Sequence, residues 1–279
     1  DVVIRDAATI VLVRDAPDLE VFMLRRNLNS DFVGGAFVFP GGGVDDADRD
    51  ADMESVCHGR TDADASKRLG VPSGGMAHWA AAIRECFEEA GLLLARHRSN
   101  GEMVDFTDPA IEERFLSHRK AIDTQQLSLI DMVRQEDLVL DVGNIHYFAH
   151  WITPEGPPRR YDTRFFVAAA PQGQVPLHDN RETVASQWVR PQDALDAGKR
   201  GEMTIIFPTM RNLERLATFQ CAADLIEATR TLDEIVTVRP RMLAGEEGIR
   251  LVIPGDSGFE SGTEPSKGEP APFVSPSPS

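Results

Sequence analysis

Residues 77–94 constrain this chain most. Trp79, Ile83, Phe87, Ala90 and Leu94 recur at three- and four-residue spacing, which at about 100° per residue sets them along one side of a helix. Glu85, Glu88 and Glu89 fall in a sector roughly opposite that stripe. Such a helix has to press its apolar side onto a sheet or another helix, and it then presents three carboxylates on one exposed face. Arg84 precedes Glu88 by four positions and can pair with it, yet one guanidinium cannot neutralise three acids. A Glu-rich helix taken alone reads as a solvated charged face. The alternative is that the cluster holds a cation, because hard divalent ions such as Mg²⁺ take oxygen ligands of this kind.

The segments around this helix predict a mixed α/β chain. Runs 7–13 and 19–24 are β-rich and separated by Asp15, Pro17 and Asp18, so they read as a hairpin. Phe37-Val38-Phe39 is a short third strand that stops at Pro40. Gly41, Gly42 and Gly43 follow, where a backbone without Cβ atoms can approach a ligand closely. Residues 45–75 are polar and acid-rich and read as an irregular surface insertion. Further helices are expected over 109–122 and 125–135, and strands over 145–152, 164–169 and 186–189. A short helix opens at Pro191, and one long amphipathic helix is expected over 209–229. A late hairpin is expected from 235–243 and 249–253. Beyond Phe259 the Gly, Ser, Pro and Glu content reads as a flexible tail over 260–279.

Composition narrows the function classes. Of 279 residues, 42% are hydrophobic and 29 basic residues face 45 acidic ones, giving a net charge of −16. A surface of that sign repels phosphates and anionic lipid heads unless cations intervene, so neither a nucleic-acid partner nor a membrane partner is expected. Cys57, Cys86 and Cys221 form no CxxC pair and argue against a disulfide framework or a cysteine-based zinc site. No apolar run approaches the roughly 20 residues that span a bilayer. A cytoplasmic protein is the expectation.

Three segments in order carry a family resemblance. Arg84-Glu85-Cys86-Phe87-Glu88-Glu89-Ala90-Gly91-Leu92 resembles the second half of the Nudix box, REUxEExGU with U a bulky apolar residue. Phe39-Pro40-Gly41-Gly42 resembles the lead-in to its first half, and 188–195 resembles the strand-to-helix segment that often follows. The box departs from the usual spacing. Counted from Gly42, an acid is due at 48, where Asp48 stands, and Arg is due at 56, whereas Arg84 stands 28 residues beyond that position. Such an interrupted box, together with Trp151-Ile152-Thr153-Pro154 and residues 160–166, is similar to the Nudix subgroup that includes the peroxisomal coenzyme A diphosphatase and bacterial relatives.

The resemblance implies an α/β fold, the Nudix αβα sandwich of a mixed sheet flanked by helices. The domain would span 1–232, with an insertion at about 45–76 and an extra helical segment at about 105–138. A C-terminal hairpin, 233–259, would pack on it. It further implies a diphosphate hydrolase using Mg²⁺ or Mn²⁺, with Glu85, Glu88 and Glu89 as catalytic metal ligands and Arg84 orienting a carboxylate. Gly41, Gly42 and Gly43 would contact substrate beside the metal. The general base is either a box Glu or Glu182 from a later loop, which could equally be an exposed acid. Arg159, Arg160 and Arg164 form the densest basic group near this site, and guanidinium suits phosphate. Charge balance on an acidic protein accounts for at least one of them. The substrate would be a small-molecule nucleoside diphosphate derivative, with coenzyme A or acyl-CoA leading because 24–26 and 34–42 echo a coenzyme A motif. ADP-ribose, dinucleotides and nucleotide sugars stay open, as does a homodimer. The rival from another class is a non-catalytic nucleotide-sensing Nudix domain.

Other signals carry less. The alternating acids Asp46, Asp48, Asp50 and Asp52 lack the Gly and Glu positions of a calcium loop and read as a solvated loop, a candidate lid. Gly255-Asp256-Ser257-Gly258 imitates a serine nucleophile loop without the accompanying frame. His78, His146 and His150 show no metal-ligand spacing, and Cys86 reads as core. The chain ends Ser277-Pro278-Ser279, without the SKL-type peroxisomal address.

Overall fold

The computed structural model describes residues 2–28, 33–155, 157–179, 181–245 and 248–262. The tail expectation falls mostly outside them. Strands β1 (Ile4–Asp15) and β2 (Leu19–Arg26) pair antiparallel only near their shared turn, from Val13↔Val21 to Asp15↔Leu19. β3 (Phe37–Val38) lies on β2, but β4 (Gly41–Gly43) crosses to β1 and pairs with Ala7–Thr9. Ile10 marks the change of partner, donating its N–H to the Pro40 carbonyl at 2.9 Å. β1 and β2 therefore fork, and the glycine segment sits in the fork.

Helices α1 (Asp62–Leu69) and α2 (Met76–Ala90) come next, then a small ribbon of β5 (Ala95–His97) and β6 (Leu138–Leu140) enclosing α3 (Pro109–Asp123) and α4 (Leu129–Gln135). β7 (His146–Ile152) and β8 (Arg160–Ala169) return to the main sheet, where β8 runs parallel to β1 from Ile4↔Arg160 to Val13↔Ala169. β9 (Thr183–Val189) joins the other side of β2. Helices α5 (Pro191–Lys199), α6 (Phe207–Leu216) and α7 (Ala222–Arg230) follow, and β10 (Thr237–Val238) closes the sheet beside β7. β11 (Arg241–Gly245) and β12 (Gly248–Val252) form a separate hairpin.

Period-2 alternation builds the two cores of this α/β sandwich. Ile10, Leu12, Phe22, Leu24 and Phe166 face α2, where they meet Trp79, Ile83 and Phe87. Their strand neighbours Val11, Val13, Val21, Met23 and Val167 face Leu213, Leu216 and Leu225 of the later helices. Each large side chain so buried contributes roughly 1.5–3 kcal/mol. Trp79 and Phe166 lie 4.6 Å apart between ring centroids, which fixes α2 across the sheet. Among the described residues no helix is long and apolar enough to cross a membrane.

Three expectations need correction. The insertion is not an irregular surface loop: it folds into two 3-10 turns and α1, and Met53, Val56, Ala65 and Leu69 join the α2 core. Its acid-rich surface hides an apolar minority. The helix expected over 209–229 is two helices, because Asp15 accepts the amide N–H of Ala222 at 2.8 Å and starts a new one there. The first arm of the late hairpin is split, since Val238 pairs with Trp151 in the main sheet before β11 begins. The box helix itself runs over Met76–Ala90 and stops at Gly91, whose φ of 70° suits glycine.

The insertion also builds the start of α2. Asp62 of α1 accepts the N–H groups of Gly74 at 3.0 Å and Met76 at 2.9 Å, and a Cβ on Gly75 would lie 2.4 Å from the Ser66 nitrogen. Replacing Asp62→Ala leaves those donors unmet and is expected to cost about 2 kcal/mol in urea unfolding; an unchanged midpoint contradicts this docking.

Candidate active site

Where α2 crosses the fork, Arg84 is 6% exposed and Asp48 only 1%. Arg84 binds the Asp48 carboxylate through Nε at 3.0 Å and Nη2 at 2.9 Å. Nη2 also donates to the Gly43 carbonyl at 2.7 Å, and Nη1 donates to Glu85 and Glu88, each at 2.9 Å. One guanidinium thus joins the insertion, the glycine segment and the box helix. Asp48, 36 residues away in sequence, meets Arg84 because the intervening chain folds back as a closed unit. This also corrects the reading of Asp48 as part of a solvated loop.

The glycines are placed by contact. Gly41 donates its N–H to Glu89 Oε2 at 2.9 Å. A Cβ on Gly42 would lie 2.4 Å from Glu85 Oε1, so any side chain there displaces the carboxylate. Gly43 has open space at its Cβ and acts through its carbonyl.

The carboxylates do not form the exposed face expected from the helical wheel. Glu89 is buried, Glu85 and Glu88 are half-buried, and all three line a cavity of about 1160 Å³. Sheet and loops rise around that side of α2, so polar residues there face a half-open cleft instead of bulk solvent. Burial pushes Glu85 up to about 7, against the pull of Arg84 and reinforced by Glu88. Burial likewise pushes Glu88 up to about 7. Glu89 is driven well above the usual carboxylate range by burial and then by the neighbouring Glu85 charge. Arg84 stays protonated: burial opposes its charge, but Asp48, Glu85 and Glu88 outweigh that and raise its pKa.

Glu182 also lines the cavity, and its charge contributes to the upward shift of Glu89. Its loop is fixed from two sides. Asp179 accepts the N–H groups of Glu182 at 3.0 Å and Thr183 at 2.9 Å, while Asn27 donates its N–H to the Glu182 carbonyl at 2.8 Å.

The basic trio is split. Arg159 lines the cavity, but Arg160 and Arg164 do not. β8 begins at Arg160, so Tyr161, Thr163 and Phe165 face the cavity and the alternate residues face away. Arg164 is buried and paired with Asp162 beside His150, and Arg160 donates to the Thr153 carbonyl at 3.2 Å. Both expectations of phosphate contact are therefore corrected. The sequence reading missed Arg26, which lines the cavity at the end of β2 and whose charge favours ionised Glu89. Strand alternation was the signal that could have separated the arginines.

The donor set suits a hard divalent cation: three carboxylates share one wall and Arg84 contacts only two of them. As placed, no three carboxylate, imidazole or thiol side chains among the described residues converge on one point, because Glu85 and Glu88 are turned to Arg84.

Comparisons with known proteins point to one family. The family described as NUDT19 Nudix domain matches residues 60–216, more than half of the chain. Acyl-coenzyme A diphosphatase NUDT19 of Xenopus laevis is 28% identical over 270 residues, covering 86% of this chain and 71% of that protein. The human protein of the same name is 27% identical, covering 86% and 72%. The crystal structure of a NUDIX hydrolase from Alicyclobacillus acidocaldarius superposes with a TM-score of 0.64 at 27% identity, covering 81% of this chain and 96% of that one. The forked sheet, the glycine segment against a carboxylate-bearing helix and these matches together make this chain a Nudix hydrolase of the NUDT19 Nudix domain family.

Proposed function

We propose that this hydrolase cleaves the diphosphate linkage of coenzyme A or an acyl-CoA, with a divalent ion held by Glu85, Glu88 and Glu89. The observation that carries the reading is the under-neutralised carboxylate wall: three acids line one cavity, burial pushes Glu85 and Glu88 up to about 7, and Arg84 is bonded to only those two. The substrate class is supported by the acyl-coenzyme A diphosphatase relatives.

Mg²⁺ or Mn²⁺, when bound, screens the anionic diphosphate and stabilises charge on the departing phosphate. The remaining roles belong to the chain. Arg84, locked by Asp48, orients Glu85 and Glu88 from below. Gly42 lets the loop lie against Glu85, and Gly41 fixes Glu89 through its N–H. Arg159 and Arg26 supply positive charge for the phosphates. Glu182, on a loop braced by Asp179 and Asn27, accepts the proton of the attacking water; a box Glu is the other candidate for that step.

Two predictions follow from this wall. Glu89→Gln is expected to keep the fold and lose at least ~100-fold in Mg²⁺-dependent turnover of coenzyme A. Assays against coenzyme A, ADP-ribose and dinucleotides check this. Binding without turnover by either protein supports the nucleotide-sensing alternative instead.

The second concerns stability in the absence of metal. Between the ordinary value of 4.5 and about 7, folded Glu88 holds a proton that the unfolded chain has released. Its contribution to stability therefore falls as pH rises through that window. His78, pushed down to about 4 by burial, acts with the opposite sign between about 4 and 6.5, so the comparison needs a reference variant. Relative to Glu88→Gln, the wild type is expected to lose roughly 2 kcal/mol between pH 4.5 and 7.5 in chelator. Parallel urea curves for the two proteins at both pH values contradict the assignment.

A further inference from the structure

Part of the cavity wall comes from the loop joining α3 to α4, where Gln125 and Gln126 line the same space as Glu85, Glu88 and Glu89. We infer that the carboxamides of Gln125 and Gln126 form the subsite that reads the secondary amides of a coenzyme A derivative. This rests on the substrate class proposed above and names the residues that distinguish it from other nucleoside diphosphates.

Gln125 has φ of +57°, the left-handed region where turns ordinarily place Gly or Asn. Here it ends α3, Gln125 being the left-handed residue that follows the Thr124 cap, and the turn sets both glutamines at the cavity wall. The loop is held in this form from within: the N–H of Gln125 donates to Ile122 at 2.8 Å, and the N–H groups of Gln126 and Leu127 both donate to the Ala121 carbonyl. It is also tied to the catalytic side, because Asp123 pairs with Arg181, next to Glu182. Both glutamines are exposed, and among the described residues neither carboxamide has a hydrogen-bond partner.

The chemistry of the pair selects the ligand. Phosphates are served by Arg26, Arg159 and a cation. A neutral carboxamide instead offers two N–H donors and one acceptor, which match the C=O and N–H of a trans secondary amide. Two adjacent carboxamides can take the two sides of one amide, or one side of each of two. The pantetheine arm of coenzyme A carries two such amides, whereas ADP carries none.

Calorimetric Kd values for coenzyme A and for ADP, measured with Ca²⁺ in place of Mg²⁺ so that the carboxylate wall is neutralised, test this. The variant is Gln125→Gly/Gln126→Ala, in which glycine keeps the left-handed turn while both carboxamides are lost. The expected result is about a 10-fold weaker Kd for coenzyme A with an unchanged Kd for ADP. Equal weakening for both ligands, an unchanged Kd for coenzyme A, or no coenzyme A binding by the wild type overturns the inference. Turnover is read separately with Mg²⁺. A wild type that binds coenzyme A in this selective way and never hydrolyses it contradicts the diphosphatase reading while the amide subsite stands.

Discussion

The Arg84 guanidinium is the interaction on which the rest of this site depends. Its five N–H donors reach Asp48 from the insertion, the Gly43 carbonyl from the fork and two carboxylates of its own helix. The equally buried Asp48 balances its one full charge, and an Arg84 that lost that partner would cost several kcal/mol, so the Arg84–Asp48 pair is held together by the penalty of breaking it. The same network holds a box interrupted by 28 additional residues together as one unit. The insertion folds back so that Asp48, standing where the uninterrupted spacing expects an acid, meets Arg84, and α1 then starts the box helix through Asp62.

That arrangement has an electrostatic consequence. Arg84 offsets part of the charge on Asp48, Glu85 and Glu88, while Glu89 relies on one backbone N–H and the more distant Arg26. The fold therefore carries carboxylates whose ionised forms are disfavoured by burial and by one another. Structural stability alone gives no reason to keep them, because amides would fill the same space at lower cost. The divalent ion and coenzyme A substrate proposed above would give one, and the ion would also reconcile a chain of net charge −16 with that anionic substrate.

How much of this was legible in the sequence depended on whether the signal was local. The stripe from Trp79 to Phe87 and the β-rich runs 7–13 and 19–24 are local and predicted a mixed α/β chain, while the sandwich itself came from the family resemblance. Gly42 was legible as a close-approach position, although its neighbour, Glu85, is 43 positions away. The insertion misled because its acids are many and its buried apolar residues, Met53, Val56, Ala65 and Leu69, are sparse and shared between one 3-10 turn and a helix. The break between α6 and α7 was invisible because no Gly or Pro marks it; Asp15, from the far end of the chain, supplies the cap. Arg164 was misplaced for want of a register: until β8 is known to begin at Arg160, nothing says which face an arginine occupies.

The most direct test is thermal unfolding of Glu85→Gln/Glu88→Gln/Glu89→Gln beside the wild type at pH 8, in chelator and then in Mg²⁺. If the carboxylates are kept for an ion at the expense of stability, the variant melts higher than the wild type in chelator and does not respond to Mg²⁺, while the wild type gains. A variant that melts lower in chelator and still gains from Mg²⁺ would show that the three acids stabilise the fold and that the ion, if any, binds elsewhere.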